Sequence, residues 1–356
     1  MKITRVETWK ESLPLSRPYT IAFKTVSAVD LFFVRIVTDG GLEGLGSAAP
    51  AEDITGESAE GCAAALAEAG PAWLEGRDAR HLGTLTRDLK THLRPTPAAR
   101  AALDMALYDL VARYLEVPLV DFLGRRHDAL PTSITIGIMA TEEALAEADE
   151  YLGRGFRCLK VKLGLNLDED VERLHKLRER VGPDVLIRVD ANQGYTVEEA
   201  LRLADVAAAL DIEFFEQPLP ADAIEAMRRL PPDLARYMAA DESLHTEEDA
   251  LALAHTPPAF GIYNIKLMKC GGITSALGIA TLAETADLKL MWGCMDESRI
   301  SIAAALHTAY ACPATRYLDL DGSFDLSRDL ASGGFVLRDG ILHVPDAPGL
   351  GVRLDI

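Results

Sequence analysis

The chain has 356 residues, 49% of them hydrophobic and 26% charged, with a formal net charge of −19. That length exceeds what one simple core holds, so two structural units or one large barrel are expected. The acidic balance, with no block of Lys or Arg, argues against nucleic acid or an anionic membrane surface as a partner. The five cysteines are scattered without CxxC spacing, against a disulfide framework or structural zinc. No apolar run is long enough to span a bilayer, and the start "MKITRVETWK" alternates like a strand rather than a signal peptide, so a cytoplasmic protein is expected.

In chain order, residues 1 to about 50 read as a β-meander, with the turn signal "TDGG" between two period-2 stretches. From Ala59 to about Leu123 the apolar spacing turns helical, and a change of texture follows near "GRRHDALPTS". Beyond it, strand-like and helix-like stretches alternate. The strands are "TSITIGI", "RCLKVKL", "VLIRVDAN", "IEFFEQP", "YMAADES", "GIYNIKL", "LMWGCM" and "RYLDLD", and helices fill the gaps. Strict alternation implies parallel strands with right-handed crossovers. Eight strands fit a closed barrel better than an open Rossmann-type sheet, which would carry a glycine-rich fingerprint after its first strand. The expected fold is α/β: a modified TIM barrel, (β/α)7β, with an N-terminal α+β capping domain. Residues 1–125 form the cap, completed by the hairpin-like tail 325–356, and residues 126–324 form the barrel. No eighth barrel helix is evident.

Active sites of such barrels gather at the C-terminal ends of the strands. There the chain places Lys160 and Lys162 in "KVK", Asp190 in "DAN", Glu216 in "EQP", Asp241 in "DES", Lys266 in "NIK", Asp296 in "DES", and Asp319 and Asp321 in "DLD". Acids ending three successive strands would point at a common centre and repel one another unless a cation is present. Hard oxygen ligands with room left for substrate suit Mg²⁺. Lys160 and Lys162 leave their strand on one face, and Lys266 lies roughly opposite across the barrel. Burial and nearby positive charge should lower a lysine's pKa towards that of a working base. Lys269 and the glycines after it read as the turn out of the sixth strand, and His307 as a satisfied core residue.

The order KVK, DAN, EQP, DES and "NIKLMKCGG", closing on "PGLGV", resembles the enolase superfamily, in particular its muconate-lactonising-enzyme subgroup. The resemblance covers essentially the whole chain. It implies Mg²⁺ on Asp190, Glu216 and Asp241, Lys162 and Lys266 as an acid/base pair, and Lys160 as an enolate-stabilising neighbour. It also implies a homo-oligomer. The Asp319–Asp321 pair looks like the Asp-x-Asp feature of dipeptide epimerases, which holds a substrate's free α-amino group. On that resemblance the partner is a small dipeptide, its α-carbon inverted at the C-terminal residue, with Thr135 as a backbone-positioning contact.

Asp296, together with Glu52, Asp53 and Glu57 in "AEDITGES", a loop that the resemblance implies covers substrate, adds acid near the expected substrate and favours cationic or polar dipeptides. Lys24 is the basic candidate that could instead hold an acidic side chain, as an Ala-Glu epimerase would need. N-acyl amino acid racemase, o-succinylbenzoate synthase and muconate cycloisomerase remain alternatives within the subgroup. A Schiff-base aldolase would need no carboxylate triad, and a scaffold protein would not keep every polar position filled.

Overall fold

The computed structural model describes residues 1–21, 24–67 and 71–355. Strands β1 (Ile3–Ile21), β2 (Lys24–Thr38) and β3 (Glu43–Ala48) form an antiparallel sheet in that order. The "TDGG" turn joins β2 to β3 as expected. The Thr38 amide donates to the Leu42 carbonyl at 3.0 Å, and Gly41 takes a φ of 77° that its lack of a Cβ makes easy.

The sheet packs on the helix Pro97–Tyr114, whose sequence "PAARAALDMALYDLVARY" is apolar or small on nearly every side. A helix of that kind is buried all round, and here every residue from Ala98 to Ala112 is buried. Glu57 starts this helix from outside: its carboxylate accepts the Ala98 amide at 2.6 Å and the Ala99 amide at 3.4 Å. Such a pairing satisfies two of a helix's orphan N–H groups. Glu57 is therefore a buried structural cap, not part of a loop over substrate.

A short strand β4 (Ala129–Pro131) precedes the barrel strands. These are β5 (Ile134–Ile136), β6 (Cys158–Lys162), β7 (Leu186–Asp190), β8 (Ile212–Glu216), β9 (Met238–Ala240), β10 (Ile262–Ile265), β11 (Lys289–Trp292) and β12 (Thr315–Leu318). Each pairs in parallel with its neighbours in sequence order. The sheet curls until its ends meet: Thr132 bridges Leu318 in parallel, and the Ser133 amide donates to the Leu318 carbonyl at 3.0 Å. Helices bridge every gap between successive strands, giving the expected (β/α)7β barrel under an N-terminal antiparallel sheet. After β12 comes a single 3-10 turn, Gly322–Phe324, in place of an eighth helix.

The tail touches both parts of the molecule. Strands β13 (Ala331–Gly333) and β16 (Val352–Leu354) pair with each other, while β14 (Val336–Arg338) and β15 (Ile341–His343) extend β4. Farther along, the Leu350 amide donates to Asp109 Oδ1 at 2.7 Å, and Asp109 Oδ2 accepts the Leu45 amide at 2.9 Å and Arg113 Nε at 2.8 Å. Asp109 thus fastens the tail to the capping helix and to β3 through one fully buried carboxylate. The His307 imidazole accepts the Val120 amide at 3.0 Å through Nδ1, but among the described residues its Nε2 has no partner, so its core environment satisfies one ring nitrogen and not both.

Close approach of β3 to the capping helix depends on small residues. A Cβ on Gly46 would lie inside van der Waals contact of the Ala102 carbonyl. Gly46→Ala should therefore lower unfolding stability by about 1–3 kcal/mol, as overpacking a tight core does. A urea midpoint unchanged from the wild type would contradict this packing.

Candidate active site

Strand alternation sorts the barrel interior into layers. Phe214, Ala239, Ile262, Met291 and the half-buried Tyr317 form an apolar floor. Arg188 is buried in the same region, with its guanidinium carbon 5.5 Å from the Phe214 ring and 5.2 Å from the Tyr317 ring. It donates Nε to Glu213 Oε2 at 2.7 Å and Nη1 to the Leu318 carbonyl at 2.6 Å. One step further along each strand lie Lys160, Asp190, Glu216, Asp241, Asn264, Lys266 and Asp319, all buried.

The strand ends are shaped to aim these groups. Beyond β8 the chain turns through Gln217 at a φ of 36°, and the Gln217 Oε1 accepts the Asp241 amide at 3.0 Å and the Ser243 amide at 3.2 Å. Beyond β7, Asn192 and Gln193 take φ values of 41° and 67°, and Asp190 Oδ1 accepts the Asn192 amide at 3.0 Å. Gly293 lets β11 pass close by, since a Cβ there would sit 2.6 Å from Asn264 Oδ1 and 3.1 Å from Lys266 Cε.

Lys160 stands at the centre. Its ammonium lies 2.8 Å from Glu216 Oε2, 2.9 Å from Asp319 Oδ2 and 3.1 Å from Asp190 Oδ2. Burial alone would depress its pKa, but Asp190, Asp319, Glu216 and Asp241 outweigh it and hold the group well above the ordinary lysine value. Lys266 donates to Asp241 Oδ2 at 2.8 Å, and Asp241 and Glu216 likewise overcome burial and raise its pKa. Without a cation, the pKa values of Lys160 and Lys266 are thus raised rather than lowered, because carboxylates surround each of these two ammonium groups.

Glu216 is pushed up to about 8 by burial and by its neighbour Asp190. Its Oε1 accepts Asn264 Nδ2 at 2.7 Å, whereas its Oε2, though near Lys160, has no aligned hydrogen-bond donor. Asp241, despite burial, is held well below the carboxylate range by Lys266 and Lys269.

Lys162 is half-buried at the end of β6, in register with Asp190. Among the described residues it has no ion pair or hydrogen bond. Asp319 is taken by Lys160 and by Ser133, whose hydroxyl donates to Oδ1 at 2.6 Å. Asp321 accepts the Thr135 amide at 2.8 Å through Oδ2, and burial together with Asp319 and Asp325 pushes its pKa to about 7. Asp296 is half-buried in the loop after β11 and acts with Asp325 on the same side of the mouth. Glu52 and Asp53 are exposed on the short helix Glu52–Thr55, beside the segment Leu267–Cys270. The Lys24 side chain lies outside the described residues.

Lys269 is not merely part of a turn. It sits in the short helix Leu267–Cys270, and its buried ammonium contacts the Asp241 carboxylate and carbonyl. Burial lowers its pKa in spite of Asp241. Asn264, Ser133, Gln217 and the buried Glu297, pushed to about 7 by desolvation, also belong to this layer or its edge. Period-2 parity with the strand-end acids could have flagged Asn264. Ser133 and Glu297 carry no comparable signal, since their roles depend on barrel closure and loop path.

Among the described residues no three acids converge as they stand on one cation position; lysine ammonium groups lie between them. The donor set nonetheless fits a hard divalent ion, because all three groups offer only oxygen and Glu216 Oε2 lacks an aligned donor.

Fold and site together define a capped (β/α)7β barrel whose mouth carries acids on successive strands between flanking lysines. The chain belongs to the mandelate racemase and muconate lactonizing enzyme family. Residues 3–124 match the family's N-terminal domain and residues 143–356 its enolase C-terminal domain-like part. An L-Lys-D/L-Arg epimerase of Methylococcus capsulatus is 57% identical over 99% of both chains. A crystal structure of the dipeptide epimerase from that organism, complexed with Mg and the dipeptide L-Arg-D-Lys, superposes with a TM-score of 0.97 over 99% of both chains at 57% identity. An L-Ala-D/L-Glu epimerase of Bacillus subtilis is 35% identical over 99% of this chain and 97% of its own.

Removing one member of a buried ionic cluster leaves the others uncompensated. Lys160→Met should therefore destabilise the metal-free protein by about 3 kcal/mol in denaturant unfolding at neutral pH. An unchanged midpoint would mean that the ammonium does not hold these acids together.

Proposed function

We propose that this chain is a Mg²⁺-dependent dipeptide epimerase, an isomerase that inverts the α-carbon of the C-terminal residue of an L,L-dipeptide by two-base proton transfer through an enolate. The observation that carries this reading is one of order around the barrel. Lys162 ends β6, Lys266 follows β10, and Asp190, Glu216 and Asp241 end the three strands between them. A substrate seated over the acids then meets one lysine from each side.

Asp190, Glu216 and Asp241 would hold the Mg²⁺. Held there, the cation would offset the three carboxylates and supply the Lewis acidity that makes a C–H beside a carboxylate more acidic. Lys162 removes the α-proton from one face and Lys266 supplies a proton to the other, with roles exchanged in the reverse direction. Lys160 keeps a positive charge beside the developing enolate. Asp321, its carboxyl fixed by the Thr135 amide, accepts the substrate's α-ammonium; Asp319 orients Lys160.

A cationic dipeptide fits best. The relative at 57% identity acts on Lys- and Arg-containing dipeptides, whereas the Ala-Glu relative stands at 35%. Asp296, Asp321, Asp325 and Glu147 lie on one side of the mouth, where burial and Asp296 raise Asp325 to about 6 despite Arg154 and Arg17 beside it. A carboxylate-bearing side chain would meet that charge unfavourably.

α-Proton exchange in D₂O over a dipeptide library tests the reading. Lys- and Arg-containing dipeptides should exchange, EDTA should abolish the reaction and Mg²⁺ restore it. Lys162→Ala and Lys266→Ala should lose exchange from opposite epimers. Turnover of L-Ala-L-Glu alone would overturn the cationic preference, and equal loss of both epimers in each lysine variant would overturn the two-base assignment.

Asp321 adds a pH signature. Its carboxyl, raised to about 7, is protonated in more acidic solution and then presents no charge to an ammonium. KM for a dipeptide should rise several-fold as pH falls from about 8 to about 6, and Asp321→Asn should raise KM mainly above about pH 7, approach the wild-type value near pH 6 and so flatten that dependence. A pH profile unchanged in the variant would place the amine elsewhere.

A further inference from the structure

The segment that carries Lys266 is held from the other domain. Arg100, on the capping helix, donates Nη2 to the Cys270 carbonyl at 2.7 Å and Nε to the Gly271 carbonyl at 3.2 Å. One helical turn later, on the same face, Asp104 accepts the Thr274 hydroxyl at 2.6 Å and the Thr274 amide at 3.2 Å. Arg100 is 7% exposed and Asp104 2% exposed, so water does not substitute for these contacts.

Between them run Gly271 and Gly272, at φ values of +82° and +109°. A Cβ on Gly271 would collide with the Arg100 guanidinium, and one on Gly272 would lie 2.6 Å from Asp104 Oδ2. The double glycine is thus shaped to the two side chains as well as to its own turn. The same turn begins at Lys266, whose carbonyl accepts the amides of Lys269 at 3.0 Å and Cys270 at 3.2 Å. Nearby, the Ala49 amide of the cap donates to Met268 Sδ at 3.3 Å.

Lys162 is placed differently. Strand β6 is paired on both sides, with β5 and β7, as β10 before Lys266 is with β9 and β11, but Lys162 lies in its strand whereas Lys266 opens the turn that Arg100 grips. No hydrogen bond among the described residues joins that strand to Arg100 or Asp104.

We infer that Arg100 and Asp104 are positioning residues for one proton-transfer face: they set the Lys266 ammonium from the capping domain, while Lys162 is set by the barrel alone. A displacement of about 1 Å in a reacting group can cost on the order of a hundredfold in rate, so loosening this clamp acts on the Lys266 face. The inference rests on the two-base reading given above.

The test measures α-proton exchange separately from the L,L and the L,D epimer of a Lys/Arg dipeptide with the Mg²⁺-loaded enzyme. Lys162→Ala and Lys266→Ala identify which epimer each lysine deprotonates. Arg100→Lys should slow exchange of the Lys266-dependent epimer by about tenfold or more, through kcat rather than KM, and leave the other epimer within about twofold. Thr274→Val, which removes a single hydroxyl, should shift the same epimer in the same direction and serves if Arg100→Lys does not fold. Equal slowing of both epimers, preferential slowing of the Lys162-dependent one, or no change in either would overturn the inference while leaving the epimerase reading intact. A wild-type enzyme that exchanges neither epimer would overturn both.

Discussion

The Lys160 ammonium lies within 3.1 Å of oxygens from Asp190, Glu216 and Asp319, in a layer closed to water. A carboxylate or ammonium isolated there would face a desolvation penalty of several kcal/mol, so neither sign can occupy the layer alone. Everything above the apolar floor follows from that mutual need. The acids need cations, the lysines need acids, and the only geometry that meets both conditions brings consecutive strands to one focus. The same balance makes the site adjustable. A divalent ion taking over part of the carboxylate charge would leave the ammonium groups less tightly held.

Charge balance does not by itself aim a side chain. Aim comes from backbone turned at the strand ends: Gln217 pins Asp241, Asn192 ties back to Asp190, and Gly293 admits Lys266 and Asn264. On the far side it comes from the capping helix. The cap therefore braces this segment of the barrel as well as packing on it, with Met268, Cys270, Gly271 and Thr274 all bonded to groups outside the barrel.

Much of this was legible in the residues. Alternating strand and helix texture fixed the barrel, and strand-end position picked out Lys160, Lys162, Asp190, Glu216, Asp241 and Lys266, because period-2 geometry alone decides which side chains face inward. What could not be read depended on contacts distant in sequence. Lys269 looked like a turn residue since nothing local shows that its ammonium reaches Asp241. Glu57 lies in the "AEDITGES" stretch expected over substrate, but the helix start it caps lies 41 positions away. The same holds for the charge around Lys160 and Lys266, which is set by how many carboxylates surround each ammonium in space.

Asp109 carries a consequence for how the molecule is made. Its carboxylate collects the Leu45 amide early in the chain and the Leu350 amide 241 positions after itself. At about 5–20 residues per second, ribosomal synthesis leaves that second partner missing for roughly 10–50 s. Throughout that interval Asp109 has the Leu45 amide and Arg113 as partners for Oδ2, while Oδ1 lacks the Leu350 amide, so the contact that ties the cap to the tail forms late in synthesis. The capping helix thus takes one of its buried contacts from a segment 241 positions downstream, and the assembly of the cap is coupled to that of the barrel between them.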